Sequence, residues 1–428
     1  MDYNSLLLRL GLDPSNFVNR VNEPIKTEHG FIYEVDQIKD KVPCKKCSSP
    51  EVYIKGYFTA EINCSETNHI TDILRVKKVR FKCRSCGQTF TPPLYGIEPY
   101  SKTSNQTLQL ICKEFTAKIT FSDIAKRYGL SVNRIIQIFD EKIKVVPRRN
   151  LPEVLCVDEI RFQTDADSKY VCILYDFHRR EIVDIIISRQ MPYLREYFSK
   201  INVFERNKVK IAISDMYDGY STAIHTYFPG ATHIVDMFHV IRLLTTAINV
   251  VRVRTMNLLT RKDSPEYNFM KKNWKLFLCR YSKVPDRFYT YQKTGEMFHY
   301  DYLLKRCIQL DQSLWSAHNT LQDLMNYQDR YTFDEALKFL QRISSNLIQC
   351  SSPIIQEVGR SYHKWRVEIA NAFSKTQNNI RYHNGVAENI NNHIKSITKA
   401  AYGYRNFERF RKRSMLILTY SKANKKET

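Results

Sequence analysis

The chain has 428 residues, with 66 Lys and Arg against 44 Asp and Glu and a formal net charge of +22 at pH 7. So basic a balance points to a polyanion partner or a membrane surface. A spanning helix is excluded because no run approaches about 18 apolar residues, and the polar, acidic start does not read as an export signal, so a cytoplasmic protein of roughly two to four domains is expected.

Residues 1–40 read as a leader. Eleven cysteines, an odd number with no export signal, argue for reduced thiols. Four of them form two Cys-x-x-Cys knuckles, Cys44 with Cys47 and Cys83 with Cys86, 35 residues apart and each followed by a residue that permits a tight turn, Ser48 and Gly87. Four thiolates at that spacing are the ligand set of one closed structural zinc site, so residues 41–98 are read as a zinc-binding ribbon. Cys64 and His69 lie between the knuckles and read as a loop thiol and a surface imidazole. From Val76 to Cys86 apolar and basic residues alternate. Lys78, Arg80, Lys82 and Arg84 therefore share one strand face that can hold phosphates, or can simply be solvated.

Residues 99–150 read as a helix-turn-helix DNA-binding domain. A first helix runs from Thr107 to Thr116, a second from Phe121 is closed by Gly129, and a third is capped by Ser131. Ala125 and Gly129 suit a close helix crossing, leaving Asn133, Arg134 and Gln137 outward on the third helix as base or phosphate contacts.

From Leu151 the texture changes to short apolar strands. Glu153 to Gln163, Tyr170 to Phe177 and Glu181 to Ser188 read as three strands, with turns at Asp165-Ala166-Asp167-Ser168 and His178-Arg179-Arg180. A helix (Pro192 to Ile201), a strand ending at Asp215, a helix (Tyr220 to Tyr227) and a strand (Thr232 to Val235) follow. Three antiparallel strands and then alternating helices and strands is the order of an RNase H-like sheet, in which Asp158 and Asp215 become neighbours. Glu388 opens a later helix. Three carboxylates of this kind can hold two magnesium or manganese ions for an in-line phosphodiester displacement. Glu159 points to the other sheet face, and Asp218 reads as a helix cap.

Only 56 residues separate Asp158 from Asp215, but 172 separate Asp215 from Glu388, which calls for an insertion over about 241–375. Its pattern is helical. Leu314, Ala317, Leu321 and Leu324 recur at threes and fours, and a Thr332-x-x-Glu335 capping box precedes Leu337, Leu340 and Leu347. The expected architecture is thus multidomain α/β: an RNase H-like catalytic domain (151–240 and 376–428) interrupted by an all-α insertion, behind the zinc ribbon and helix-turn-helix. Near the C-terminus Arg405, Arg409, Arg411, Lys412 and Arg413 read as phosphate contacts.

Taken in order, these elements resemble the bacterial DDE transposases of the ISL-three insertion-sequence family. The resemblance rests on the Leu6-to-Leu12 leader, both knuckles, the helix-turn-helix, Val157-Asp158-Glu159, Ser214-Asp215-Met216-Tyr217, Val235-Asp236-Met237-Phe238-His239-Val240, Glu388-Asn389-Ile390-Asn391-Asn392-His393-Ile394-Lys395 and Tyr402-Gly403-Tyr404-Arg405-Asn406-Phe407. It implies an acidic triad of Asp158, Asp215 and Glu388, and a signature on Asp236 and His239 whose histidine orients the scissile phosphate or a metal-bound water. It also implies double-stranded DNA partners, both terminal inverted repeats and target, a homodimer or higher oligomer that brings two ends together, and a bacterial, nucleoid-associated location. The alternatives are a transposase-derived transcription regulator without catalysis and a metal-dependent nuclease on the same fold.

Overall fold

The computed structural model describes the chain except residues 1–2, 10–11, 22, 39–41, 66–68, 95, 145–149, 163–167, 328–331, 376–379 and 427–428. Leu10 and Gly11 of the leader, Gln163 of the first expected catalytic strand and Asp165-Ala166-Asp167 of the turn after it lie outside the described residues. Two units are present: Met1–Val146 with His393–Thr428, and Pro147–Asn392.

The first unit opens with α1 (Tyr3–Arg9) and continues with β1 (Phe17–Asn19), β2 (Ile25–Lys26), β3 (Phe31–Gln37), β4 (Val52–Asn63), β5 (Ile73–Cys83) and β6 (Thr89–Phe90). β1, β3, β5 and β4 lie side by side, with β3 parallel to β5 and β4 antiparallel to it. The long β4–β5 ribbon buries opposite faces in its two halves. Leu74 and Val76 join one core with Leu6, Leu7 and Val35, whereas Val79, Phe81 and Cys83 join a second with Cys44 and Val52. The reason is in the sequence: the doubled Lys77-Lys78 shifts the period-two pattern by one residue, which moves every later apolar side chain to the other face. The uninterrupted alternation expected from Val76 therefore holds only from Lys78 onward.

Three helices follow: α2 (Asn105–Glu114), α3 (Phe121–Arg127) and α4 (Val132–Lys142). Ser104, Thr120 and Ser131 cap them by accepting the backbone N–H of Thr107, Asp123 and Arg134. Because Ser104 is the cap, α2 begins two residues before the expected Thr107. Gly129 has φ +59, and a Cβ there would lie 2.2 Å from the Thr71 hydroxyl oxygen. The glycine thus serves a left-handed turn pressed against the strand loop, not a crossing of two helices.

The second unit contains β7 (Val154–Arg161), β8 (Tyr170–Asp176), β9 (Glu181–Ile186), α5 (Met191–Ser199), α6 (Val203–Arg206), β10 (Ile211–Ser214), α7 (Asp218–Tyr227) and β11 (Thr232–Val235). The strand order is β11-β10-β7-β8-β9, antiparallel through β7, β8 and β9 and parallel through β7, β10 and β11. Leu155, Val157 and Leu174 face Leu194, Phe198 and Tyr220 in one core. Beyond β11 the chain is mostly helical: α8 (Met237–Leu258), α9 (Pro265–Lys272), the hairpin β12 (Phe288–Thr290) and β13 (Met297–His299), then α10 (Tyr300–Ile308), α11 (Gln312–Tyr327), α12 (Phe333–Ile348), α13 (Pro353–Lys364) and α14 (Arg366–Asn371). Leu314, Ala317, Leu321 and Leu324 are all buried in the core of this stretch, and Thr332 and Glu335 form the expected capping box. The segment is not purely α-helical. Gly295, at φ +75, turns the β12–β13 hairpin, which the helical periodicity around it concealed.

α15 (Gly385–Ala400) spans the boundary, its first half in the second unit and its second half in the first, and α16 (Phe407–Lys426) closes the first unit. Within the first unit, Arg413 is 1% exposed; its guanidinium donates to the carbonyls of Ala117 and Ile119 and stacks on Phe115 and Phe121. It is therefore a core residue, and its reading as a phosphate contact is corrected.

Candidate active site and zinc centre

Adjacent parallel strands deliver the first carboxylates. β10 pairs with β7 through Ile213 and Cys156, so Asp215 and Asp158 each stand two residues beyond a paired position. β11 pairs Val235 with Ser214, and the Asp236 N–H donates to the Ser214 carbonyl at 3.0 Å. Asp236 then caps α8, which carries His239 in its first turn. Asp215, Asp236 and His239 offer ligand atoms that all lie within 4.8 Å of one another. His239 Nε2 is 3.2 Å from Asp215 Oδ1, near enough for an ion pair but not aligned as a hydrogen bond, so that buried oxygen has no donor.

Both carboxyls, Asp158 within β7 and Asp215 just past the end of β10, resist ionisation. Burial first, then the charge of Asp215, raises Asp158 to about 7. Burial first, then the charges of Asp236 and Glu159, raises Asp215 to about 7. Crowded, partly buried carboxylates with an orphaned oxygen need positive charge, and a hard divalent cation fits this donor set.

The start of α15 is fastened to the same strand. Asn384 Nδ2 donates to the Val157 carbonyl at 3.3 Å, Asn391 Nδ2 donates to Asp158 Oδ2 at 2.7 Å, and the buried Tyr175 hydroxyl donates to Asn391 Oδ1. Residues 384, 388 and 391 recur at helical spacing, so Glu388 shares the face that carries both asparagines. Glu388 itself is exposed, and among the described residues neither it nor Asp158 falls within the compact donor cluster. Asn384, Asn391 and Tyr175 were missed from sequence, although the four- and three-residue steps around Glu388 are the signal that could have found them. Glu159 lies elsewhere: its carboxylate pairs with Arg189 at 2.6 Å, and Arg189 stacks on Tyr170 and Tyr217. Asp218 is the first residue of α7, not its cap, and pairs with Lys364.

The four knuckle cysteines converge in the first unit. Sγ of Cys44 is 3.5 Å from that of Cys86, and Sγ of Cys47 is 3.6 Å from that of Cys83. Thiolates around zinc at about 2.3 Å stand roughly 3.8 Å apart, so the set fits one tetrahedral ion. Ser48 and Gly87 turn the knuckles at φ 57 and 72. The backbone N–H of Cys86 is the main influence lowering Cys83 to about 6, which favours a thiolate ligand. Cys64 is buried in the other core and His69 is outside the cluster, so neither belongs to the set.

Of the residues read as nucleic-acid contacts, Arg80, Arg84, Asn133, Gln137 and Arg405 are exposed, while Lys78, Lys82 and Arg134 are half-buried. Arg80 stacks on Phe58 and Arg84 on Tyr53 across the ribbon. Arg409 is committed to Asp140, with Nη2 at 2.8 Å, and Arg411 lies 3.4 Å from Glu408.

A chain so organised is that of a DNA transposase: residues 155–414, more than half of it, match a family model described as Transposase. The family is the ISL-three group of DDE transposases, and the chain belongs to it. It is also similar to the transposase for insertion sequence element IS1001 of Bordetella parapertussis, at 22% identity over 346 residues, which cover 79% of each chain. Among the described residues no helix is long and apolar enough to cross a membrane.

Proposed function

We propose that this transposase binds the terminal inverted repeats of an insertion sequence, hydrolyses the phosphodiester at each end and joins the freed 3′-hydroxyl to target DNA. Asp158, Asp215 and Glu388 hold two magnesium or manganese ions, with Asp236 and His239 beside them. When bound, such a pair of ions supplies activation of the attacking oxygen and stabilisation of the leaving 3′ oxygen. The protein's part is orientation: Asn391 fixes the Asp158 carboxylate, Asn384 fastens the start of α15, and His239 stands ready to hold the scissile phosphate or a water.

The β11-β10-β7-β8-β9 order supports an RNase H-like catalytic domain, and the mainly helical stretch after β11 supports an insertion that braces DNA ends. The boundaries 1–40, 41–98, 99–150, 151–240, 241–375 and 376–428 are kept as the proposed functional division. A zinc ion on the four thiolates shapes the ribbon, α3 and α4 act as the helix-turn-helix, and Lys78, Arg80, Lys82, Arg84, Asn133, Arg134, Gln137, Arg405, Arg409 and Arg411 form the DNA surface. Two protomers or more pair the ends, in the bacterial cytoplasm at the nucleoid.

The observation that carries this reading is the pair of partly buried carboxylates on the neighbouring strands β7 and β10, approached by α15 through Asn391. Its test is cleavage and joining of end DNA with magnesium. Asp158→Asn, Asp215→Asn and Glu388→Gln should bind DNA yet lose roughly 10³-fold or more in turnover, and Glu159→Gln should retain activity. Full turnover in Glu388→Gln together with inactivity in Glu159→Gln would overturn the triad. Cleavage without joining by the wild type would favour a nuclease, and neither reaction a regulator.

A further inference from the structure

A third group of side chains with the chemistry to hold a metal lies at β11. His225 on α7, His233 on β11 and Glu368 on α14 offer ligand atoms within 4.8 Å of one another. His233 and Asp236 stand three residues apart in extended chain, so their side chains leave opposite faces of the strand. The group is therefore separate from the carboxylates at the strand ends.

The hydrogen bonds around the two imidazoles are compatible with tautomers that turn a bare nitrogen of each ring toward the cluster. Ser214 Oγ lies 3.0 Å from the Asp215 carbonyl and 2.8 Å from His233 Nε2, so when the hydroxyl donates to the carbonyl it accepts from the ring. In that arrangement Nε2 carries the proton and Nδ1 presents a bare lone pair. That Nδ1 is buried with no hydrogen-bond partner, on a side chain whose residue is 3% exposed. His225 Nδ1 is 2.8 Å from the Ser221 carbonyl, an acceptor only, so its proton is also engaged and Nε2 is free. With the Glu368 carboxylate, three acceptors converge on one space with no donor among them.

We propose that His225 Nε2, His233 Nδ1 and a Glu368 oxygen bind a divalent cation of the zinc type, with water as fourth ligand. Two imidazole nitrogens and one carboxylate suit a borderline cation better than magnesium. Donors of a tetrahedral site stand about 3.4 Å apart, so the ion draws these in by an ångström or so. The hydrogen bonds of the rings to Ser214 and Ser221 orient both imidazoles and suit the ligating tautomer. The role is structural. α14 already touches the edge strand, where Asn371 Nδ2 donates to the His233 carbonyl at 2.9 Å, and the ion ties α7, β11 and α14 together.

The test uses the full-length protein, dialysed against zinc with excess magnesium, and counts zinc per chain. His225→Ala, an exposed position that leaves the core intact, and Glu368→Ala should each bind one zinc fewer than wild type and lose part of the rise in Tm that zinc gives. Asp215→Asn should keep both. Equal zinc content and equal Tm response in wild type and the two variants would overturn the proposal. Loss of the extra zinc in Asp215→Asn but not in His225→Ala would also overturn it.

Discussion

At the scale of single residues, Asp158 and Asp215 set up an opposition between stability and function. Each is raised from an ordinary carboxyl value to about 7, so between about pH 4 and pH 7 the folded chain binds more protons than the unfolded one. Stability without metal therefore falls as pH rises through that window, and is fully recovered only below the unfolded value. Asp215→Asn removes one of the two charges. It should raise the metal-free Tm by a few degrees at pH 8 and leave it nearly unchanged at pH 4, as calorimetry at both pH values would measure. Magnesium should then stabilise the wild type more than the variant. Asn391 acts one step away: Asn391→Ala removes the donor to Asp158 Oδ2, which raises that carboxyl further. The acid limb of the cleavage pH profile should move to higher pH and turnover fall roughly tenfold, with DNA binding kept. An unmoved pH limb would remove Asn391 from this role.

Elements differ in how much of their placement the sequence reveals. The catalytic strands were legible to within about two residues because they are buried on both faces and bounded by turns. The ribbon was half legible: alternation reveals a strand, but only the doubled Lys77-Lys78 signals that the two halves bury opposite faces. Arg413 was misread because charge outweighed position. It stands three residues after Phe410 and four before Ile417, on the apolar stripe of α16, and that spacing places it in the core. Arg413→Ala should leave the Ala117 and Ile119 carbonyls without their donor and destabilise the first unit by about 2 to 4 kcal/mol, measurable by denaturant unfolding. The closeness of Asp158 and Asp215 was legible from the order of the strands that carry them, whereas Asn384 and Asn391 were illegible because their polar side chains look solvated beside an amphipathic helix until β7 is next to them. On α4 and the ribbon, Arg134→Ala should cost roughly 1 to 3 kcal/mol for end DNA and relax specificity, whereas Lys82→Ala should weaken all DNA alike and flatten the salt dependence. Binding titrations at two salt concentrations separate the outcomes.

For the whole molecule, chain order and spatial order diverge. The paired carboxylates arrive at residues 158 and 215, yet the side chain that donates to Asp158 arrives only at 391. The first unit begins at the N-terminus but needs residues 393–428, including the buried Arg413, to complete its core. A chain ended after Asn392 should therefore lose sequence-specific DNA binding as well as thermal stability, although it keeps α2, α3, α4 and all four knuckle cysteines. Gel-shift binding equal to that of the full chain would contradict this.

That arrangement bears on how such an element decays. A gene copy broken near its 3′ end would, in a protein assembled strictly from one end to the other, still encode an end-binding fragment able to occupy the repeats and silence intact copies. Here the last helices are part of the first unit, so on the proposed division of roles the same break would disable occupancy together with chemistry. Damaged copies then drop out of competition, and an intact neighbour is not poisoned by its own relics.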